Sequence, residues 1–158
     1  MSSNDSYSID TSALLDAWVR WYPPDLFPKL WQNIEALVIE QRLLATEEVL
    51  IELEKKDDDI FKWAKKQKMF FPLTSEIQKI ASDILIKFPR LIDSRKERSQ
   101  ADPFVIALAK HKNCLVITGE KNFGTDNRPR IPIVCREFGV KPISIIELIR
   151  AEGWKFSQ

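Results

Sequence analysis

Short apolar runs alternate along this chain with segments of helical periodicity, and that alternation leaves few folds open to it. Residues 7–10, Leu43 to Thr46 and Leu115 to Ile117 are too short for helices and read as strands, the last through its β-branched content. Between them Leu14, Leu15, Trp18 and Val19 mark one apolar helical face, stopped by Pro23 and Pro24. Phe27, Leu30, Trp31, Ile34, Leu37 and Val38 trace a second at i, i+3, i+4, i+7 spacing. Val49, Leu50 and Leu53 give a third before the charged stretch Glu54 to Asp59, and Phe61 and Trp63 open a fourth. Thr74 to Lys87 is a longer helix with a capping start, another begins near Asp102 and Pro103, and a last runs from Ile146 to Ala151. Phe88 to Ala101 reads as a loop, and Ile131 to Val134 and Pro142 to Ile145 as weaker apolar segments. Strands interleaved with helices predict an α/β domain with a mainly parallel sheet.

At 158 residues, 44% hydrophobic and 30% charged, the chain fits one soluble globular domain with a genuine core. Twenty-four basic against 23 acidic residues leave a net charge of +1, which excludes a large basic surface and leaves only local clusters. Cys114 and Cys135 sit in apolar contexts and read as buried free thiols. The first residues have neither a basic n-region nor an apolar h-region, and no apolar run approaches a membrane span, so a cytoplasmic protein is expected. His111 is the lone histidine, which leaves histidine-based zinc sites and Ser-His triads without support. All four glycines are isolated, so a Gly-rich phosphate loop is excluded.

Four acids fall at element ends or on helices: Asp10 after the first strand, Glu52 on a helix, Asp102 at a helix start and Glu120 after the strand Leu115 to Ile117. In parallel α/β sheets ligands bind beyond the carboxyl ends of the strands, where Asp10 and Glu120 lie. Taken singly, an acid in such a position is usually a cap or a solvated charge. Two carboxylates drawn to about 4 Å cost roughly 4 kcal/mol at an effective dielectric near 20, which a bound cation or a raised pKa must relieve. A divalent-metal site is the reading that accounts for all four. Mg²⁺ and Mn²⁺ prefer oxygen ligands and need only one or two carboxylates each.

The order of these acids resembles the PIN-domain ribonucleases, in particular the VapC-like branch that includes the toxins of bacterial toxin–antitoxin pairs. Asp10 in SIDTSALL is similar to the family's first aspartate, Glu52 in VLIELEK to its helical glutamate, and Asp102 in ADPFVIALA to its third motif. Thr118-Gly119-Glu120 followed by Phe123 resembles the fourth motif, T-x-D-x-x-F, with Glu120 for the aspartate and Asn122 where a further aspartate is frequent. Asp126 is the rival for that fourth place. The run IPIVCREFGVKPISIIEL resembles a bacterial and archaeal subgroup with an IPxVC-type segment.

The resemblance, which spans about residues 7–150, implies a three-layer PIN-like fold over one domain and a Mg²⁺- or Mn²⁺-dependent endoribonuclease. Asp10, Asp102 and Glu120 would hold metal, Glu52 would complete the catalytic set, and the hydroxyls of Thr11 and Thr118 would orient those ligands. Arg95, Lys96 and Arg98, just before Asp102, are the candidate RNA contacts. The implied partners are RNA, a cognate antitoxin and a second copy of the chain, with no membrane. Trp18, Trp21, Phe27 and Trp31 suggest where a homodimer or antitoxin would pack. Two alternatives stay open: a PIN-like RNA- or protein-binding module with weak or no catalysis, and a structure-specific DNA nuclease.

Overall fold

The computed structural model of the protein describes residues 4–92, 100–120 and 130–156. Five strands form one sheet: β1 (Tyr7–Ile9), β2 (Leu43–Thr46), β3 (Phe70–Phe71), β4 (Leu115–Ile117) and β5 (Pro142–Ile143). Their spatial order is β3-β2-β1-β4-β5, and every pairing is parallel. The α-helices among the described residues are α1 (Thr11–Leu15), α2 (Pro28–Ile39), α3 (Glu47–Lys56), α4 (Asp58–Lys65), α5 (Ser75–Lys87), α6 (Asp102–Lys112), α7 (Ile131–Glu137) and α8 (Ile145–Glu152). A π-helical segment, Asp16–Trp21, continues α1, and Pro89–Leu91 forms a 3₁₀ turn.

The chain steps outward from β1 through β2 to β3, then returns past β1 to β4 and β5. Parallel crossovers are right-handed, so the reversal puts the helices of the two halves on opposite faces. The result is the expected α/β domain, a parallel sheet between helical layers. Because both faces are covered, the strands are apolar almost throughout: Tyr7, Ile9, Leu43, Ala45, Val116 and Ile117 are all fully buried. Ser8 is the buried polar exception on β1, and its hydroxyl donates to the Val105 carbonyl of α6 at 2.9 Å.

Three details depart from the sequence reading. Ile131 to Val134, read only as a weaker apolar segment, opens a helix; Pro132 sits in its first turn, where a missing N–H costs nothing. Phe70–Phe71 is a fifth strand that two residues were too few to announce. The first helical face does not continue regularly beyond Leu15 but widens into the π segment, closed by Tyr22 N–H donating to the Ala17 carbonyl at 2.8 Å.

The tryptophans divide in the same way. Trp18, Trp31 and Trp63 pack on one another with ring centroids 4.9–5.7 Å apart, largely edge to face. Trp31 donates to the Tyr22 carbonyl and Trp63 to Glu35. Trp21 stands apart, 65% exposed. Cys114 and Cys135 are free, buried thiols, as their contexts suggested. Among the described residues, no helix is long and apolar enough to cross a membrane.

Candidate functional site

Three strands run into helices with no loop between them. Asp10 follows β1 and is the N-cap of α1; Thr46 ends β2 and is the N-cap of α3; Ser144 follows β5 and is the N-cap of α8. The registers Ser8–Leu44, Ile9–Ile117 and Ile117–Ile143 fix the relative heights of these strands. Continuing them by one or two residues brings Thr46, Asp10, Thr118 and Ser144 to one level across β2-β1-β4-β5. Backbone bonds from Asp10 N–H to the Ile117 carbonyl and from Thr118 N–H to the Ile143 carbonyl, each 3.0 Å, hold that level. A row of oxygen-bearing side chains thus edges the sheet where several helix N-termini begin, and their dipoles favour negative charge.

Asp10 is the centre of the row and only 1% exposed. Its Oδ1 accepts from the Ala13 N–H at 2.7 Å, the N-cap bond of α1. The Ser12 hydroxyl reaches both carboxylate oxygens at 2.9 Å, and the Thr118 hydroxyl donates to Oδ2. Burial pushes the Asp10 carboxyl up to about 7; the Thr118, Ala13 and Ser12 donors pull it down, and the nearby Glu120 charge adds to the rise. Desolvation outweighs the hydrogen bonds because all of these donors are neutral.

The other expected acids lie on the same side of the sheet's carboxyl edge, within electrostatic reach of one another or linked through Thr11. Cys135, fully buried on α7, has its thiol pushed well above the ordinary thiol range, first by burial and then by the charges of Asp10, Asp102 and Glu120. One sulfur therefore senses three of the four carboxylates, while Arg136 opposes them. Asp102 is buried at the first position of α6, where the helix dipole favours its charge. Glu52 lies one step out: its Oε1 accepts from the Thr11 hydroxyl at 2.5 Å, and Thr11 is the residue after Asp10. Both hydroxyls expected to orient carboxylates, Thr11 and Thr118, do donate to one.

Glu120 also has a structural use. Its Oε2 accepts from the Ile131 N–H at 2.7 Å, capping the first turn of α7. The turn that delivers it is tight: a Cβ on Gly119 would lie 3.2 Å from the Ser12 carbonyl oxygen and 2.6 Å from Asp16 Oδ2, which would have to swing aside. Gly119 N–H donates to the Ser12 hydroxyl at 3.0 Å, locking this turn onto α1.

The residues fit a hard cation in kind. The donor set is carboxylate and hydroxyl oxygen, and the buried Thr46 hydroxyl has no hydrogen-bond partner among the described residues. Among the described residues, no three of Asp, Glu, His or Cys close tightly enough to hold an ion by side chains alone. A Mg²⁺-type ion that keeps several waters asks for fewer. Thr46 and Ser144 were not picked out from the sequence, although each strand segment, YSID, LLAT, LVIT and PIS, ends on an oxygen-bearing residue. Arg95, Lys96 and Arg98, and the rival Asp126, lie outside the described residues.

Two cavities open on this edge and share Thr118, Glu120 and Ser144. One, of about 700 Å³, lies between α7 and the β5–α8 junction and is lined also by Arg136, Lys141 and Glu147. The other, of about 310 Å³, lies against the π segment.

The fold and its carboxyl-edge acids define a parallel α/β domain with a buried carboxylate site. The chain belongs to the family described as Domain of unknown function (DUF4411), whose model matches residues 7–156. No curated protein matches it.

Proposed function

We infer that this protein is a metal-dependent endoribonuclease of the PIN-like kind, hydrolysing RNA phosphodiesters at the carboxyl edge of its sheet. One observation carries the reading: the Asp10 carboxyl, buried and raised to about 7, has Glu120 close enough to add to that rise and shares with Glu120 and Asp102 an influence on the Cys135 thiol. Like charges drawn together at the ligand-binding edge of a parallel sheet, two of them buried, are costly unless something positive joins them. Asp10, Asp102 and Glu120 would hold Mg²⁺ or Mn²⁺, with Glu52 beside them through Thr11. When bound, the ion supplies Lewis acidity and neutralises charge at a phosphate. The protein's own share is to fix Asp10 through Thr118, Ser12 and Ala13, to exclude bulk water around it, and to offer Arg136 and Lys141 along the adjoining cleft to flanking phosphates.

The resemblance extends this to a toxin held in check by an antitoxin protein and acting as a homodimer. Expression of the chain alone would then slow growth, and the Asp10→Asn form would not.

The direct test is cleavage of unstructured RNA in Mn²⁺ or Mg²⁺ by wild type, Asp10→Asn and Asp102→Asn, with circular dichroism to verify folding. Activity should fall by orders of magnitude in both variants. A branched DNA in parallel tests the DNA-nuclease alternative. A second reading, a binding module with weak or no catalysis, is favoured by the capping bond from Ile131 N–H to Glu120. Folded wild type that binds RNA but leaves it intact in either metal would establish that reading instead.

A further inference from the structure

The smaller cavity is built differently from the larger one. Its wall is the π segment, in which hydrogen bonds close over five residues, so that residues five apart stack along one face. Asp16 with Trp21, and Ala17 with Tyr22, are two such pairs, and all four line the cavity. In a regular α-helix, residues five apart point well away from each other. The widened turn therefore brings a carboxylate and an exposed indole to one pocket, with Ile145 and Ile146 of α8 as the opposite wall. Thr118, Gly119 and Glu120 form its floor, so it adjoins the buried acids directly.

We propose that this pocket seats a guanine base of single-stranded RNA beside the phosphodiester at the carboxylates, with Trp21 stacking on it and Asp16 reading its Watson–Crick edge. The proposal rests on the ribonuclease reading and adds a base preference to it. Trp21 is 65% exposed although Trp18, Trp31 and Trp63 are packed on one another, which leaves its face free for a planar ligand. Single-stranded RNA is recognised in this way, by bases splayed onto aromatic rings and bonded along their edges. A carboxylate only accepts, so it favours an edge with adjacent donors. Guanine offers two, N1–H and the 2-amino group. Adenine and cytosine each place an acceptor beside their amino group, and uracil flanks its single N–H with carbonyls. Gly119 keeps the floor low, since a side chain there would collide with Asp16.

The experiment uses fluorescein-labelled oligouridine of about seven nucleotides, with or without one central guanosine, bound to the protein in chelator so that nothing is cut. Anisotropy should report about tenfold tighter binding with the guanosine, the order of a hydrogen bond to a charged group. Trp21→Ala should weaken binding of both oligonucleotides by about tenfold, and Trp21→Phe should restore most of it. Asp16→Asn should erase the guanosine preference, so that the two oligonucleotides bind alike. Unchanged RNA affinity in folded Trp21→Ala overturns the proposal. So does a lowered solution mass of that variant without loss of RNA binding, because the indole then serves contact between copies. Cleavage in Mn²⁺ that ignores both substitutions overturns the pocket while the ribonuclease reading stands. Guanosine-selective binding by a protein that cuts nothing supports the pocket while the ribonuclease reading falls.

Discussion

The two edges of the sheet handle buried acid in opposite ways. At the amino edge Glu152, at the end of α8, meets the Arg42 guanidinium and accepts the Tyr7 hydroxyl at 2.5 Å. Arg42 is tied further to Glu40 at 3.2 Å and to the Asp5 carbonyl at 2.8 Å. That charge is balanced by the protein itself. At the carboxyl edge Asp10 receives two hydroxyls and one backbone N–H, all neutral, and its carboxyl is left near 7. The contrast teaches where stability has been given up: one edge is a finished ion pair, the other keeps a charge deficit that a ligand can fill.

The largest effect that probes this contrast is pH dependence. Asp10 is raised in the folded state above its unfolded value near 4, so between about pH 4 and pH 7 the folded protein holds a proton the unfolded chain has lost. Its contribution is fully present below pH 4 and disappears as pH rises through 7. In chelator, urea unfolding should lose roughly 4 kcal/mol from this group between pH 4 and pH 8. Asp10→Asn, neutral throughout, should flatten that part of the curve. Identical slopes for the two proteins would erase the difference between the edges.

The amino edge provides the next test. Arg42→Ala strands Glu152, whose side chain is 5% exposed, and should cost about 3 kcal/mol in urea unfolding. It should leave Mn²⁺ binding by calorimetry unchanged. Loss of metal binding in this variant would mean the two edges are coupled.

Metal should act at the carboxyl edge alone. At about a hundred times its dissociation constant, Mn²⁺ should stabilise wild type by about 2.7 kcal/mol at pH 8, seen as a rise in Tm. Asp10→Asn should gain much less. An equal rise in both proteins would place the ion elsewhere.

The smallest effect is expected from Glu120→Gln. The amide oxygen can still accept from Ile131 N–H, so stability at pH 7 should change by less than about 1 kcal/mol. Removing the charge should nonetheless lower the pH at which Asp10 titrates. Unfolding curves against pH separate these outcomes: an unmoved transition would deny that Glu120 acts on Asp10.

Much of this arrangement was legible from the residues. Leu115 to Ile117 reads as a strand by composition, the Thr74 cap of α5 by its Thr-Ser-Glu start, and the acids by their order along the chain. What stayed hidden depends on pairing or on departures from regular periods. Ile131-Pro-Ile-Val is a short apolar run that strand and helix share, and only its packing decides. The π segment closes its hydrogen bonds over five residues, a widening that no apolar pattern announces. Thr46 and Ser144 carry ordinary hydroxyls until register sets them level with Asp10.

The direct passage from strand to helix at Asp10, Thr46 and Ser144 has a consequence for how the domain breathes. A site hung on loops opens by local fluctuation, whereas here the Asp10 and Thr118 amides are bonded into the sheet itself, to the Ile117 and Ile143 carbonyls. Breaking either bond means parting the central strands, so these two amides should exchange with solvent deuterium only when the whole domain opens. The buried carboxylate and the folded sheet are then a single cooperative unit, gained and lost together.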